Sequence, residues 1–60
     1  MRRLFRKGQR VRNKIDGRVM EVLSYIKHKS KNVVECAWFD LEKKEVRISK
    51  HDEDKLLKAS

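Results

Sequence analysis

Cys36 is the only cysteine in a chain of 60 residues, which removes the usual supports of a very small domain. One thiol builds neither an internal disulfide nor a cysteine-based zinc site, so the fold must be held by its core. Ordering the chain costs on the order of 1.5 kcal/mol per residue, and nearly every apolar side chain has to be buried to offset it. Charged residues make up 43% of the sequence, a level at which disorder competes with folding unless the apolar groups are concentrated. They are concentrated, at Val19 to Ile26, Val33 to Phe39 and Val46 to Ile48. The expectation is one folded domain over residues 1–60, with a single small core and no room for a deep substrate cleft. An enzyme is not expected at this size.

The chain has no proline and two glycines, so Gly8, Gly17 and polar clusters mark its turns. Gln9 to Asn13 reads as a short strand with Val11 inward and Arg10 and Arg12 outward. Asn13 to Gly17 supplies turn chemistry, since Asp-Gly readily reaches positive φ. Arg18 to Ile26 is rich in Val, Ile and Tyr and reads as a long strand. Met20 and Val22 share one face, whereas Val19, Leu23 and Tyr25 occupy the other. Mixed faces of this kind imply a strong twist or a bulge and fit a small curled barrel.

Lys27 to Asn32 reads as a polar hairpin loop, and Val33 to Phe39 as the strongest strand, with Val34, Cys36 and Trp38 inward. A turn at Asp40 to Lys43 leads into Lys44 to Ile48, where alternation places Val46 and Ile48 inside and Glu45 and Arg47 outside. Ser49, Asp52 and the later Lys55 and Lys58 carry the signature of a capped helical turn around Lys50 to Asp54. Lys55 to Leu57 then reads as a short last strand that docks Leu56 or Leu57. The expected core is Val11, Met20, Val22, Val34, Cys36, Trp38, Val46, Ile48 and Leu56.

Four features follow one another along the chain: Lys7-Gly8-Gln9, Gly17-Arg18-Val19-Met20-Glu21-Val22, Val34-Glu35-Cys36-Ala37-Trp38-Phe39-Asp40, and a polar turn before Leu56. In this order they resemble the YodC-like small bacterial proteins, over roughly Phe5 to Leu57, with Cys36 to Asp40 as the most specific part. The resemblance implies an all-β, SH3-like small barrel of about five short strands with one helical turn near the C-terminus, and leaves function open. Lys7-Gly8-Gln9-Arg10-Val11 also looks like the first strand of KOW and Tudor-type barrels, which commonly bind RNA, ribosomal partners or peptides. The Lys-rich 27–31 segment and the basic amino terminus depart from the YodC-like pattern, so no binding site is transferred from it.

Charge is distributed very unevenly. Residues 1–31 hold eleven Lys and Arg against Asp16 and Glu21, whereas the remainder holds six against seven carboxylates. Such a field attracts polyanions. Arg10, Arg12, Arg18, Lys27, Lys29 and Lys31 are the candidate phosphate contacts, with Tyr25 the candidate stacking ring beside them. The competing reading is a solvated basic face that keeps a small protein soluble. Trp38 reads as core, Phe39 as ambiguous, and Phe5 as a cover for one barrel end. Cys36 reads as a buried thiol rather than a nucleophile. His28 and His51 lack ligand spacing, and Asp52-Glu53-Asp54 reads as capping or pairing with the basic face, so neither a metal nor a cofactor is expected.

No apolar run approaches the roughly 20 residues of a membrane span, and MRRLFRKG lacks the apolar middle of a secretory signal. A cytoplasmic, non-enzymatic binding module follows as the expectation, with no membrane partner. Its expected partner is RNA or DNA backbone; the alternative is an acidic protein or peptide docked in the manner of SH3-like folds. Exposed strand edges leave a monomer and a weak homodimer both open. So is the state of residues 1–6, either ordered or a flexible basic arm.

Overall fold

A computed structural model describes residues 3–59. The apolar-rich segments form five strands: β1 Arg10–Asn13, β2 Val19–His28, β3 Lys31–Asp40, β4 Glu45–Asp52 and β5 Leu56–Lys58, with a 3-10 turn at Glu53–Lys55. They make one antiparallel sheet in the order β4-β3-β2-β1-β5. The first strand lies between the second and the last, with Val11 opposite both Met20 and Lys58. An all-β meander with a single 3-10 turn before its last strand is the SH3-like arrangement expected from the sequence.

The mixed faces of β2 have a specific cause. Val22 pairs with Cys36 but Ser24 pairs with Glu35, so Leu23 is an extra residue at a β-bulge. A bulge shifts the alternation by one, which returns Tyr25 to the face of Met20 and Val22. The core on that face comprises Phe5, Val11, Met20, Val22, Val34, Cys36 and Leu56, with Tyr25 and Trp38 packed against it. Val11, Val22, Val34 and Cys36 are fully buried. Phe5 does cover one end of the core.

Asn13 is also inward and buried, for a local reason. Its Oδ1 accepts from Ile15 N at 2.8 Å, its N–H donates to Arg18 O at 2.8 Å, and its carbonyl accepts from Gly17 N at 2.8 Å. These bonds close the β1–β2 turn around Gly17, whose φ of +75° suits glycine.

Three expectations need correction. Lys27 to Asn32 is not a loop: Lys27 pairs with Asn32 and His28 with Lys31, leaving Lys29 and Ser30 as the turn of a long ribbon. Backbone pairing carries on through polar residues when both ribbon faces are solvated, and Lys29 enters the turn at φ +56°.

The faces of β4 are inverted. Val46 and Ile48 are 65% and 61% exposed, while Arg47, Ser49 and His51 lie opposite Trp38, Cys36 and Val34 on the inner side. Alternation shows that two faces differ, but the register against β3 decides which one is inner. The polar inner row has its own use: Trp38 Nε1 donates to Ser49 Oγ at 3.2 Å, and Ser49 Oγ lies 2.7 Å from His51 Nε2.

Ser49 therefore caps no helix. β4 continues through Asp52, and the turn sits at Glu53–Lys55, displaced toward the C-terminus and without a side-chain cap bond. Leu56 then docks as expected, 3% exposed, while Leu57 faces out.

The amino-terminal segment, left open by the sequence, is hydrogen-bonded to the domain where the structure describes it. Leu4 N donates to Glu53 Oε2 at 3.0 Å, Phe5 N to Tyr25 Oη at 3.0 Å and Arg6 N to Gln9 Oε1 at 3.0 Å. Burial of Phe5 is the reason this segment docks rather than frays. Met1 and Arg2 of the same expectation lie outside the described residues.

Candidate nucleic-acid interface

Strand parity sets the first group of cations. Val11 points into the core, so Arg10 and Arg12 leave the outer face of β1 together and are exposed. Arg12 Nη1 donates to Gly17 O at 3.0 Å, which holds the guanidinium beside the turn. Glu21 lies opposite Arg10 in register, but the two form no ion pair. Arg18, two residues before Met20, places its guanidinium carbon 3.7 Å from the centre of the Trp38 ring. That is cation–π stacking, and it fixes a long side chain at low entropic cost.

Arg18 and Trp38 also border an open depression of about 390 Å³, shared with Phe39, Asp40, Leu41 and Glu42. Asp40 is tied down there: its Oδ1 accepts from Glu42 N and Lys43 N, and its Oδ2 from Arg47 Nε at 3.2 Å. The Lys43 amide above all, with that of Glu42 and the Arg47 guanidinium, holds its carboxyl below the usual carboxylate range, although burial pushes the other way.

The second group lies at the other end of the ribbon. Lys27, Lys29 and Lys31 surround the β2–β3 turn. Eleven residues separate Arg18 from Lys29, roughly 35 Å along a strand at about 3.3 Å per residue. The structure thus brings Arg10, Arg12 and Arg18 together at one end of the sheet and the three lysines together at the other, not all six on one rim.

Among the described residues, ion pairs join Lys31 to Asp52 at 3.9 Å and Arg47 to Asp40 and Glu45 at 3.2 and 3.5 Å. Arg10, Arg12, Arg18, Lys27 and Lys29 take part in none of them. The Lys31–Asp52 pair is exposed and correspondingly weak.

Tyr25 is the candidate whose position differs most from the sequence reading. Its hydroxyl donates to Glu53 Oε2 at 2.6 Å while accepting from Phe5 N, and Arg3 lies 5.0 Å over its ring. Burial, followed by the bond to Glu53, raises the Tyr25 pKa. Burial also pushes the Glu53 carboxyl up, but bonds from Leu4 N, Tyr25 and Asn32 outweigh it and leave its pKa below the ordinary value. Tyr25 is therefore the keystone of a latch on the amino-terminal segment, with one ring face covered by an arginine. Arg3, Asn32 and Glu53 had no place in the sequence-derived site. The basic run at residues 2–6 was the signal for Arg3, but nothing local reveals that Glu53 reaches back to Leu4.

The other reactive groups are quiet. Cys36 is fully buried, and burial with the nearby Glu35 charge pushes its thiol up to about 11. No three His, Cys, Asp or Glu side chains among the described residues converge on a metal-sized site. No helix among them is long and apolar enough to cross a membrane. Comparison with known proteins finds no matching family model, no matching curated protein and no matching solved structure.

Proposed function

We propose that this chain is a small, non-enzymatic, cytoplasmic binding module that contacts the backbone of RNA or DNA through its exposed cations. The observation that carries the reading is the set of five exposed basic side chains, Arg10, Arg12, Arg18, Lys27 and Lys29, that no carboxylate neutralises among the described residues. Cations held by no carboxylate break no ion pair on meeting a phosphate, and counterion release supplies the affinity. The YodC-like resemblance is consistent with this architecture and adds no activity.

The test is a titration of the protein with a duplex and with a short single strand at several salt concentrations. Binding should weaken as salt rises, and Arg10→Glu with Arg12→Glu should flatten the slope of log K against log salt by about 0.9 for each lost phosphate contact. Unchanged affinity in that variant, or binding insensitive to salt, sinks the proposal. A protein-interaction reading is favoured by one separate feature, the half-exposed Phe39 beside Trp38 in the depression that carries Asp40 and Glu42. Under it, a peptide added as competitor would bind in a way that Phe39→Ala abolishes and the Arg10 and Arg12 changes do not.

A further inference from the structure

Strand β4 is an open edge. It pairs with β3 in unbroken register from Val33–Asp52 to Asp40–Glu45, and among the described residues no other backbone hydrogen bond reaches it. Edge strands are commonly blunted by proline, a bulge, edge charges or inward charge. Here there is no proline and no bulge; charge is the device present, as Glu45, Arg47, Lys50 and Asp52, and the inward Arg47 is held by Asp40 and Glu45, so the edge admits a partner strand only in a register that matches these charges. The outer face of the same edge is apolar: Phe39 pairs with Val46 and Ala37 with Ile48, and Phe39, Val46 and Ile48 are each more than half exposed.

We propose that this edge joins two copies of the chain in a two-fold homodimer, β4 against β4 antiparallel, with Ile48 on the axis. A two-fold axis normal to the sheet keeps outer residues opposite outer residues, so only alternate registers are open. With Ile48 facing its own copy, Val46 lies opposite the partner's Lys50, Arg47 opposite the partner's Ser49, and Glu45 opposite the partner's His51. No like charges meet, and the Ala37–Ile48 pairs of the two copies join in one apolar row across the axis. Centring on Arg47 pairs Val46 with the partner's Ile48, but it sets that arginine against the partner's Arg47 and brings Lys50 to the partner's Lys44 in the turn. Centring on Ser49 sets Ile48 against the partner's Lys50 and Val46 against the partner's Asp52. Like charges directly opposite are unfavourable, and the Ile48 register is the one of the three that keeps an apolar pair on the axis without opposing like charges. A second copy fits this edge because the edge complements itself.

Each chain carries a formal charge of +8, so the dimer should tighten as salt rises, the reverse of phosphate binding. The experiment is sedimentation velocity of the whole chain without nucleic acid, from micromolar to millimolar, at low and moderate salt. The expected mass rises toward twice the 7.2 kDa of one chain. Ile48→Lys places like charges on the axis and should weaken association by about tenfold or more, a change of about 1.4 kcal/mol. Its thermal melt when dilute should match the unaltered protein, because Ile48 is largely exposed within the protomer. Glu45→Lys should weaken the dimer, and Glu45→Lys with His51→Glu should restore it. Leu41→Lys, 81% exposed in the β3–β4 turn, should leave it unchanged. A monomer at every concentration, an Ile48→Lys dimer of undiminished strength, or equal loss in Leu41→Lys would overturn the proposal.

Discussion

Removing one oxygen, in Tyr25→Phe, tests whether the amino-terminal segment is latched as the structure shows. The ring keeps its packing against the core, while Phe5 N loses its acceptor and Glu53 Oε2 loses a 2.6 Å donor. A hydrogen bond to a charged group contributes about 1.5–3 kcal/mol, and partial exposure of both side chains lets water recover some of it, so the expected loss is about 1–2 kcal/mol. In a domain of this size each kcal/mol moves Tm by about 4–8 °C, which makes the effect readily visible. The loss depends on pH in a definite direction. Glu53 titrates below its ordinary value when folded, so its contribution is fully present above about pH 4.3 and disappears as pH falls through the lowered folded pKa. Tyr25 titrates above its ordinary value when folded, so its contribution holds below about pH 10 and disappears as pH rises through the raised one. Circular dichroism melts of the two proteins should therefore differ most near neutrality and differ less in acid, where only the bond from Phe5 N distinguishes them. Adding Glu53→Gln should reveal a coupling of roughly 0.5–3 kcal/mol between the two sites. Melts agreeing within about 2 °C at every pH, well under the shift for one kcal/mol, would refute the latch.

The corrected faces of β4 lead to a paired test of the core. Met20→Ala, at 2% exposure, should cost about 2–5 kcal/mol and bring the domain close to unfolding, whereas Val46→Thr should change stability by no more than about 0.5 kcal/mol. Denaturant melts of dilute protein check both, and equal losses would mean that Val46 is core after all. Cys36, with its thiol raised to about 11, should resist alkylation near pH 8 in native buffer and react fully in denaturant. Rapid native labelling at a rate independent of unfolding would show that the thiol is accessible.

Much of the architecture was legible from local pattern. Val34, Cys36 and Trp38 alternate in a β-rich segment, Gly17 follows an Asp at a turn, and Met20 with Val22 clashes in phase with Tyr25; these residues implied the strands, the turn and a strong twist or a bulge, because each depends on near neighbours in the chain, and the pairing across β2 and β3 decided for the bulge. The charge asymmetry was equally visible, since it is a property of composition. Strand direction, pairing order and register are not local, and every misplaced feature traces to one of them. Val46 and Ile48 alternate perfectly but face outward, because the pairing of Arg47 with Trp38 and Ser49 with Cys36 sets the phase of β4. The 27–32 segment carries the composition of a loop but is held as ribbon by cross-strand bonds. Tyr25 is bound to Glu53, 28 residues away, by the folding of the chain that brings the 3-10 turn against β3. Arg18 and Lys29 share a basic half of the sequence yet stand at opposite ends of one strand. Sequence alone determined where the apolar centres of the strands lie and how much charge the chain carries, but not how far β2, β3 and β4 extend through polar residues. Tertiary structure decided which face of each strand is buried and which charges can act together, because both depend on contacts between residues far apart in the chain.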